Sequence, residues 1–217
     1  MALLRLEIAE ARPGTEVRAA HIDVHKPALN DVVYRLAAQG RAMVVAPLLL
    51  STGYHVRVDI ALAVESAGGL AVAAAPLGPD PLLLGVLQQR LAESGAAADD
   101  PVVLAAAGSR DPVAAAAVEQ MVTALAARRG APVTVGYLAA TSPTVAEAVT
   151  RSRRDYPGRP VAIASYLLAP GHFAARLEAA GADHLTAPLA PHPDLATLAL
   201  QRYDQAAARL TRQLRLT

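Results

Sequence analysis

Cysteine and tryptophan are absent from the 217 residues, and Phe173 is the only phenylalanine. Without cysteine there is no disulfide and no thiolate metal site, and a reducing, cytoplasmic location is the expectation. Charge is also scarce: Asp, Glu, Lys and Arg make up 18% of the chain, with 20 basic against 19 acidic residues. A balance this even leaves no electrostatic footprint for nucleic acid or an anionic membrane surface. The longest apolar run, near Met43–Leu50, falls far short of the roughly 18 residues a membrane span needs. Acidic residues interrupt the opening stretch Met1–Gly14 and no apolar segment follows, so no secretory leader is expected. Gly-x-Gly-x-x-Gly, Walker and Gly-x-Ser-x-Gly patterns are missing too, which argues against a nucleotide fold-mouth or a serine-hydrolase elbow.

What the chain does have is small aliphatic bulk. Apolar residues make up 53%, mostly Ala, Val and Leu, a composition suited to helices packed closely on parallel sheets. Seven short apolar runs read as buried strands: Val17–Val24, Ala42–Leu50, Leu70–Ala75, Pro101–Ala107, Val133–Ala139, Pro160–Leu168 and Ala182–Ala187. Helical periodicity fills much of the rest: Ala2–Ala11, Pro27–Gln39, Pro81–Ser94, Pro112–Arg129, Pro143–Arg154, Phe173–Ala180 and Pro193–Leu214. Proline at the start of most of these is a helix-opening signal. Alternating strands and helices predict a doubly wound α/β protein with right-handed crossovers.

The pattern occurs twice. Ala75–Pro81 (APLGPDP) and Ala187–Pro193 (APLAPHP) lie 112 positions apart, and Gln89-Arg90 keep that offset from Gln201-Arg202. Pro27 and Pro143 are 116 apart; Ala46–Gly53 (APLLLSTG) and Ala164–Gly171 (ASYLLAPG) are 118 apart. Drifting offsets are what loop insertions leave in a duplicated sequence. The expectation is two similar lobes, residues 1–94 and 101–217, each a parallel four-stranded sheet flanked by helices and facing each other across a cleft, with Glu93–Asp100 as linker. One piece has no counterpart. The second half opens with a strand and a loop, Pro101–Pro112, whereas the first opens on the helix Ala2–Ala11. The first lobe is therefore expected to lack its opening strand, and another subunit could cover that position.

Ligand sites in such folds sit at the carboxyl ends of the strands. Three turns there carry chemistry-bearing residues: Asp23–Pro27, Ser51–His55 and Gly108–Pro112. His55 is the best candidate, because a neutral imidazole both binds a divalent cation and accepts a proton near neutral pH. His21 and His25 are four apart on a segment read as strand and turn, where that spacing does not align them as it would on a helix. In Gly108–Pro112, Ser109 or Asp111 caps the next helix or, with Arg110, cradles an anion. His184 and His192 carry no pattern of their own.

At these turns the sequence resembles the sirohydrochlorin chelatases, the cobaltochelatases of cobalamin synthesis and ferrochelatases of sirohaem synthesis, in their long, duplicated form. Pro47–His55 (PLLLSTGYH) followed by Asp59-Ile60 matches the turn after that family's third strand. Ala75–Pro81 resembles its next strand end, and Ala107–Pro112 its first loop, with Ala107 where the family carries histidine. The resemblance implies His55 as metal ligand and catalytic base, and Asp23 as a second metal-binding group. It places Lys26, Leu50, Ser51, Thr52, Gly53, Tyr54 and Arg57 along the substrate. The family's first histidine would fall ahead of Met1. In the second half, Ala107 and Phe173 stand at the two histidine positions, and His172 aligns with Tyr54 instead.

The implied activity is that of a lyase that inserts Co²⁺ or Fe²⁺ into sirohydrochlorin or a related tetrapyrrole. The metal is a substrate, and no organic cofactor is implied. The alternative is a family member that has lost catalysis and binds a tetrapyrrole or serves as a structural partner. A third reading is an unrelated doubly wound ligand-binding protein.

Overall fold

A computed structural model describes residues 2–22, 25–51, 53–171 and 173–215, without the side chains of Ala2, Tyr54, His55, Val56 and Ala174. Eight helices and six strands occur among them. The first half holds α1 (Ala2–Ala11), α2 (Leu29–Ala38), β1 (Met43–Val45), α3 (Tyr54–Glu65), β2 (Ala71–Ala73) and α4 (Pro81–Glu93). The second holds β3 (Val102–Ala106), α5 (Pro112–Arg129), β4 (Val133–Tyr137), α6 (Val145–Asp155), β5 (Ala162–Tyr166), α7 (Ala174–Glu178), β6 (His184–Leu185) and α8 (Pro193–Leu214). The helix α3 was not among the expected elements; it is the counterpart of α7, and the 118-residue offset was the signal for it.

The second half's strands form one parallel sheet in the order β4-β3-β5-β6. Its central strand β3 and its neighbour β5 are buried along their whole length. Val103, Ala105, Val161 and Ile163 pack there against Val145, Ala148 and Val149 of α6 and Leu177 of α7. Gly136 makes that closeness possible: a Cβ on it would stand 2.7 Å from the Val145 Cα. Side-chain caps start α5 and α6. Asp111 accepts from the Val113 amide at 2.9 Å, and Thr144 and Glu147 form a capping box on α6.

Among the described residues the first half has a two-stranded parallel sheet, β1-β2, where a four-stranded plan without its opening strand would have left three. Of the expected strand Val17–Val24, the described residues 17–22 form no ladder: residues 16–20 have no regular structure and His21 makes one isolated bridge, to Ala28; Asp23 and Val24 lie outside the described residues. The reason lies in the topology. The counterpart of residues 17–21 is β4, whose sole strand partner is β3. Among the described residues no element of the first half occupies the place of β3. An edge strand cannot form where its central neighbour is lacking, whatever its propensity.

Where both halves have strands, their registers agree. Val44 pairs with Val72 in the first, and their counterparts Ala162 and His184 pair in the second. The bridge His21–Ala28 matches the bridge Tyr137–Thr144, 116 residues on. Residues 78–195 form one compact unit, and residues 2–77 with 196–217 form the other. Each half's last helix thus belongs to the other half's unit. Helix α4 packs on β5, and Arg90 donates to the carbonyls of Leu189 (3.3 Å) and Pro191 (2.7 Å). On α8, Arg202 donates to the carbonyls of Pro76 (3.0 Å) and Leu77 (3.3 Å). These are the same contact made twice, since Leu77 and Leu189 are themselves counterparts. Residues 97–100, expected as linker, form a bound turn in which Asp100 is buried and accepts from the Ala97 amide at 2.7 Å.

Candidate functional site

In the first half the segment Ala46–Ser51 leaves the carboxyl end of β1 and reaches Gly53, which stands at the N-cap of α3 with extended dihedrals (φ −68°, ψ 166°). The Gly53 carbonyl accepts from the Arg57 amide at 3.1 Å and so closes the first helical turn. Tyr54 and His55 are the first two residues of α3. His55 therefore lies where amide N–H groups at a helix start face a strand's carboxyl end. Asp23 and Thr52 lie outside the described residues, as does His172, and so do the side chains of Tyr54 and His55. Leu50, Ser51 and Gly53 are half-buried, while Arg57 is exposed.

The other turn of this half is pinned from both ends. The His21 amide donates to the Pro27 carbonyl at 2.9 Å and the His21 carbonyl accepts from the Leu29 amide at 2.8 Å. This closes a loop that carries Lys26 and His25 on the protein surface. Lys26 lies 3.8 Å from Asp31, an exposed and weak pair, so its ammonium is accessible to an anionic ligand. The loop also brings the His21 and His25 rings to 5.8 Å between centroids, a proximity that sequence spacing did not foretell. Among the described residues no group of three or more His, Asp or Glu side chains could hold a metal ion.

The equivalent positions of the second half are built differently. Ala107 directly follows β3, and the Ala107 carbonyl accepts from the Ala139 amide at 2.9 Å. Gly108 adopts φ +93°, and a Cβ there would stand 1.9 Å from the Ala139 oxygen, so only glycine fits. Phe173 precedes α7, and the Arg176 guanidinium lies 5.9 Å from its ring centroid while donating to the Leu138 carbonyl at 2.7 Å. An aromatic ring and a bound guanidinium thus stand where the first half has His55. Two phenols close the strand ends on either side of β3. Burial pushes the Tyr166 hydroxyl well above its ordinary pKa, with Asp80 adding repulsion. Burial also raises Tyr137, with Glu119 acting in the same direction. Both remain neutral donors at physiological pH.

Two histidines have structural duties. His192 is buried; its Nε2 lies 3.0 Å from Gln89 Oε1, and its Nδ1 accepts from the Asp194 amide at 3.1 Å. His184 Nδ1 lies 3.0 Å from the Ser94 carbonyl oxygen. Both rings tie α4 and the turn after it to the second sheet.

Comparison with known proteins places this architecture. SirB from Bacillus subtilis with Fe³⁺ superposes with a TM-score of 0.81 at 22% identity, over 98% of this chain and 90% of that one. A sirohydrochlorin chelatase SirB from Bacillus subtilis subspecies spizizenii, in complex with cobalt, gives 0.75 at 20% identity, over 95% and 88%. CbiX, described as the terminal enzyme for sirohaem biosynthesis in denitrifying bacteria, gives 0.69 at 22% identity, over 94% and 89%. At such identities these likenesses establish the shared fold. No curated protein matches the sequence. Among the described residues no helix is long and apolar enough to cross a membrane. The CbiX family model matches twice, over residues 1–94 and 101–206, and the chain belongs to the CbiX family.

Proposed function

We propose that this protein is a metal chelatase that inserts Co²⁺ or Fe²⁺ into sirohydrochlorin or a closely related tetrapyrrole, with His55 as the central residue of its site. The observation that carries the reading is the placement of the Pro47–His55 turn. It runs from a parallel strand's carboxyl end into the first turn of α3, in a member of the CbiX family.

The chemistry sets the requirements. Metal insertion exchanges two pyrrole N–H protons for one M²⁺, so the site must take up protons and deliver a metal it can release. A neutral imidazole with a reference pKa of about 6.5 serves both ends, and Asp23 would add a carboxylate that lowers the charge of the bound ion. The tetrapyrroles of this chemistry carry several carboxylates. The exposed Lys26 and Arg57 would meet them, and the chain Leu50–Tyr54 would line the macrocycle. A homo-oligomer and a cytoplasmic location fit the same reading, and the substrate is a small molecule.

The test follows the absorbance change of sirohydrochlorin on Co²⁺ addition, for wild type, His55→Ala and His172→Ala. The His55→Ala protein is expected to lose at least about 100-fold in rate with unchanged circular dichroism, and His172→Ala to stay within about threefold of wild type. Undiminished turnover in His55→Ala would overturn the assignment. A wild type that binds the tetrapyrrole without inserting metal would favour the non-catalytic alternative.

A further inference from the structure

Helix α8 is longer than its counterpart, and its extra turns lie along a strand. Helix α4 stops at Glu93, whose counterpart on α8 is Gln205, while α8 runs on to Leu214. Within the smaller unit three α8 side chains donate to the carbonyls of one segment, in antiparallel order. Gln213 donates to Gly69 at 2.9 Å, Arg209 to Ala73 at 2.6 Å, and Arg202 to Pro76 at 3.0 Å and Leu77 at 3.3 Å. Steps of seven and four residues keep these three on one face of the helix. Arg202 has its counterpart in Arg90, but positions 209 and 213 fall at Ala97 and Pro101, beyond the end of α4. The backbone of β2 shows what Arg209 and Gln213 hold. The Leu70 carbonyl accepts from the Met43 amide and the Ala74 amide donates to the Val45 carbonyl, both toward β1. Successive residues of a parallel strand address opposite neighbours, so the N–H and C=O of Ala71 and Ala73 face away from β1. Among the described residues β1 is the strand partner of β2 and no strand lies on its other side. An open cavity of about 510 Å³ is lined by Glu65, Ala71, Ala73, Arg209 and Gln213 among others, so the two side chains span a groove along that edge.

We propose that the end of α8 is an edge guard: Arg209 and Gln213 occupy carbonyls on the outer edge of β2 and keep that edge from pairing with the β2 edge of a second copy of this chain. A row of unpaired N–H and C=O groups is a template for another strand, and folded proteins cover or charge such edges. The second copy is the occupant guarded against because its edge is self-complementary. Two identical strands pair antiparallel about a two-fold axis, each supplying the groups the other lacks. The guard is built of donors. The Arg209 guanidinium makes a charge-assisted bond to the Ala73 carbonyl and has no acceptor to offer in return. Its charge also opposes close approach, since pairing through β2 would bring two Arg209 side chains toward each other. The equivalent strand of the larger unit, β6, is two residues long and offers a shorter template, and α4 ends before the guard positions.

The test compares the full chain with Arg209→Ala/Gln213→Ala by light scattering over a concentration series, with circular dichroism as the check on folding. The double variant is expected to rise with concentration to at least about twice the mass of the parent. Over the same series its Ala73 amide should come to exchange at least about tenfold more slowly with solvent, as a newly paired edge requires. Arg209→Lys keeps a charged donor and should behave as the parent. Gln213→Glu is the milder variant, because it turns a donor facing the Gly69 carbonyl into an acceptor, and it should associate in the same way to a smaller extent. Adding Ala73→Pro to the double variant should return its mass to that of the parent, since proline removes an outward N–H and leaves the ladder to β1 in place. Variants that keep the parent's mass at every concentration would overturn the proposal. So would association that Ala73→Pro leaves untouched, which would be unspecific aggregation, and a parent whose own Ala73 amide is already protected by self-association. None of these readouts depends on chelatase activity.

Discussion

The sheet of four strands and the sheet of two descend from the same sequence pattern, with the same register where both have strands. They differ in two strands: among the described residues the first half has no counterpart of β3, and the counterpart of β4 forms no ladder. With β3 present, β4 and β5 are regular over five residues each. Without it, the counterpart of β4 has no ladder, and that of β5 shortens to the three residues of β1. Apolar exposure follows the same division: Leu3, Leu6, Tyr34, Val58, Leu62 and Leu214 of the smaller unit are exposed, against Val113 in the larger. Local strand propensity is thus conditional. A half-buried run such as residues 17–22 becomes a strand only when a neighbour supplies both the hydrogen bonds and the apolar wall. The smaller unit also carries His55, so the candidate chemistry lies in the half with the less complete sheet.

The comparison breaks most sharply at the strands themselves. Leu104 is fully buried at the centre of β3, and Leu104→Ala should cost about 2–5 kcal/mol of stability through lost burial and a cavity. Val44→Ala, on the half-exposed β1, should cost under about 1 kcal/mol. Chemical denaturation of the two variants checks this, and equal losses would show that the two sheets are equivalently packed in solution.

The paired arginines offer a test of intermediate size. Arg90 and Arg202 make the same carbonyl contacts in opposite units. Arg90→Ala and Arg202→Ala should each cost about 1–3 kcal/mol, because charged hydrogen bonds to carbonyls are lost. Each loss should localise to one unit, read as faster amide exchange around residues 189–191 for Arg90→Ala and around residues 76–77 for Arg202→Ala.

The smallest effect concerns acid. Asp183 of the larger unit is held below the usual carboxylate range, chiefly by the Val161 amide and also by Arg153. Asp204 on α8 is lowered by its hydrogen bonds and charge pairing with Arg12. A depressed folded-state pKa contributes stability that is present above the unfolded value of about 3.9 and is lost as pH falls through the folded one. Both units should therefore soften between about pH 4 and pH 2, and Asp183→Asn or Asp204→Asn should flatten that slope in the unit concerned. Melting curves at stepped pH read this out.

Part of the local structure around the candidate turn was legible in the residues. The run Ala42–Leu50 announced a strand end, while the helix α3 that begins at Tyr54 was missed, although the 118-residue offset from Phe173–Ala180 pointed to it. The repeat offsets carried the equivalence of His55 with Phe173, and with it the difference between the halves. The approach of His21 to His25 was not legible, because it depends on a loop closed by the Pro27 carbonyl and the Leu29 amide rather than on any regular period.

By itself the sequence determined the duplication, the parallel α/β class and the helix starts at Pro81, Pro112 and Pro193, because each is a matter of local chemistry or of repeated pattern. Only the tertiary structure decided where α4 and α8 belong. An amphipathic helix states that one face will be buried, not against what, and in this chain each of the two packs within the unit built by the other half. Only the tertiary structure decided the fate of residues 17–22 as well, since whether an apolar run becomes a strand depends on a neighbour that its own residues cannot specify.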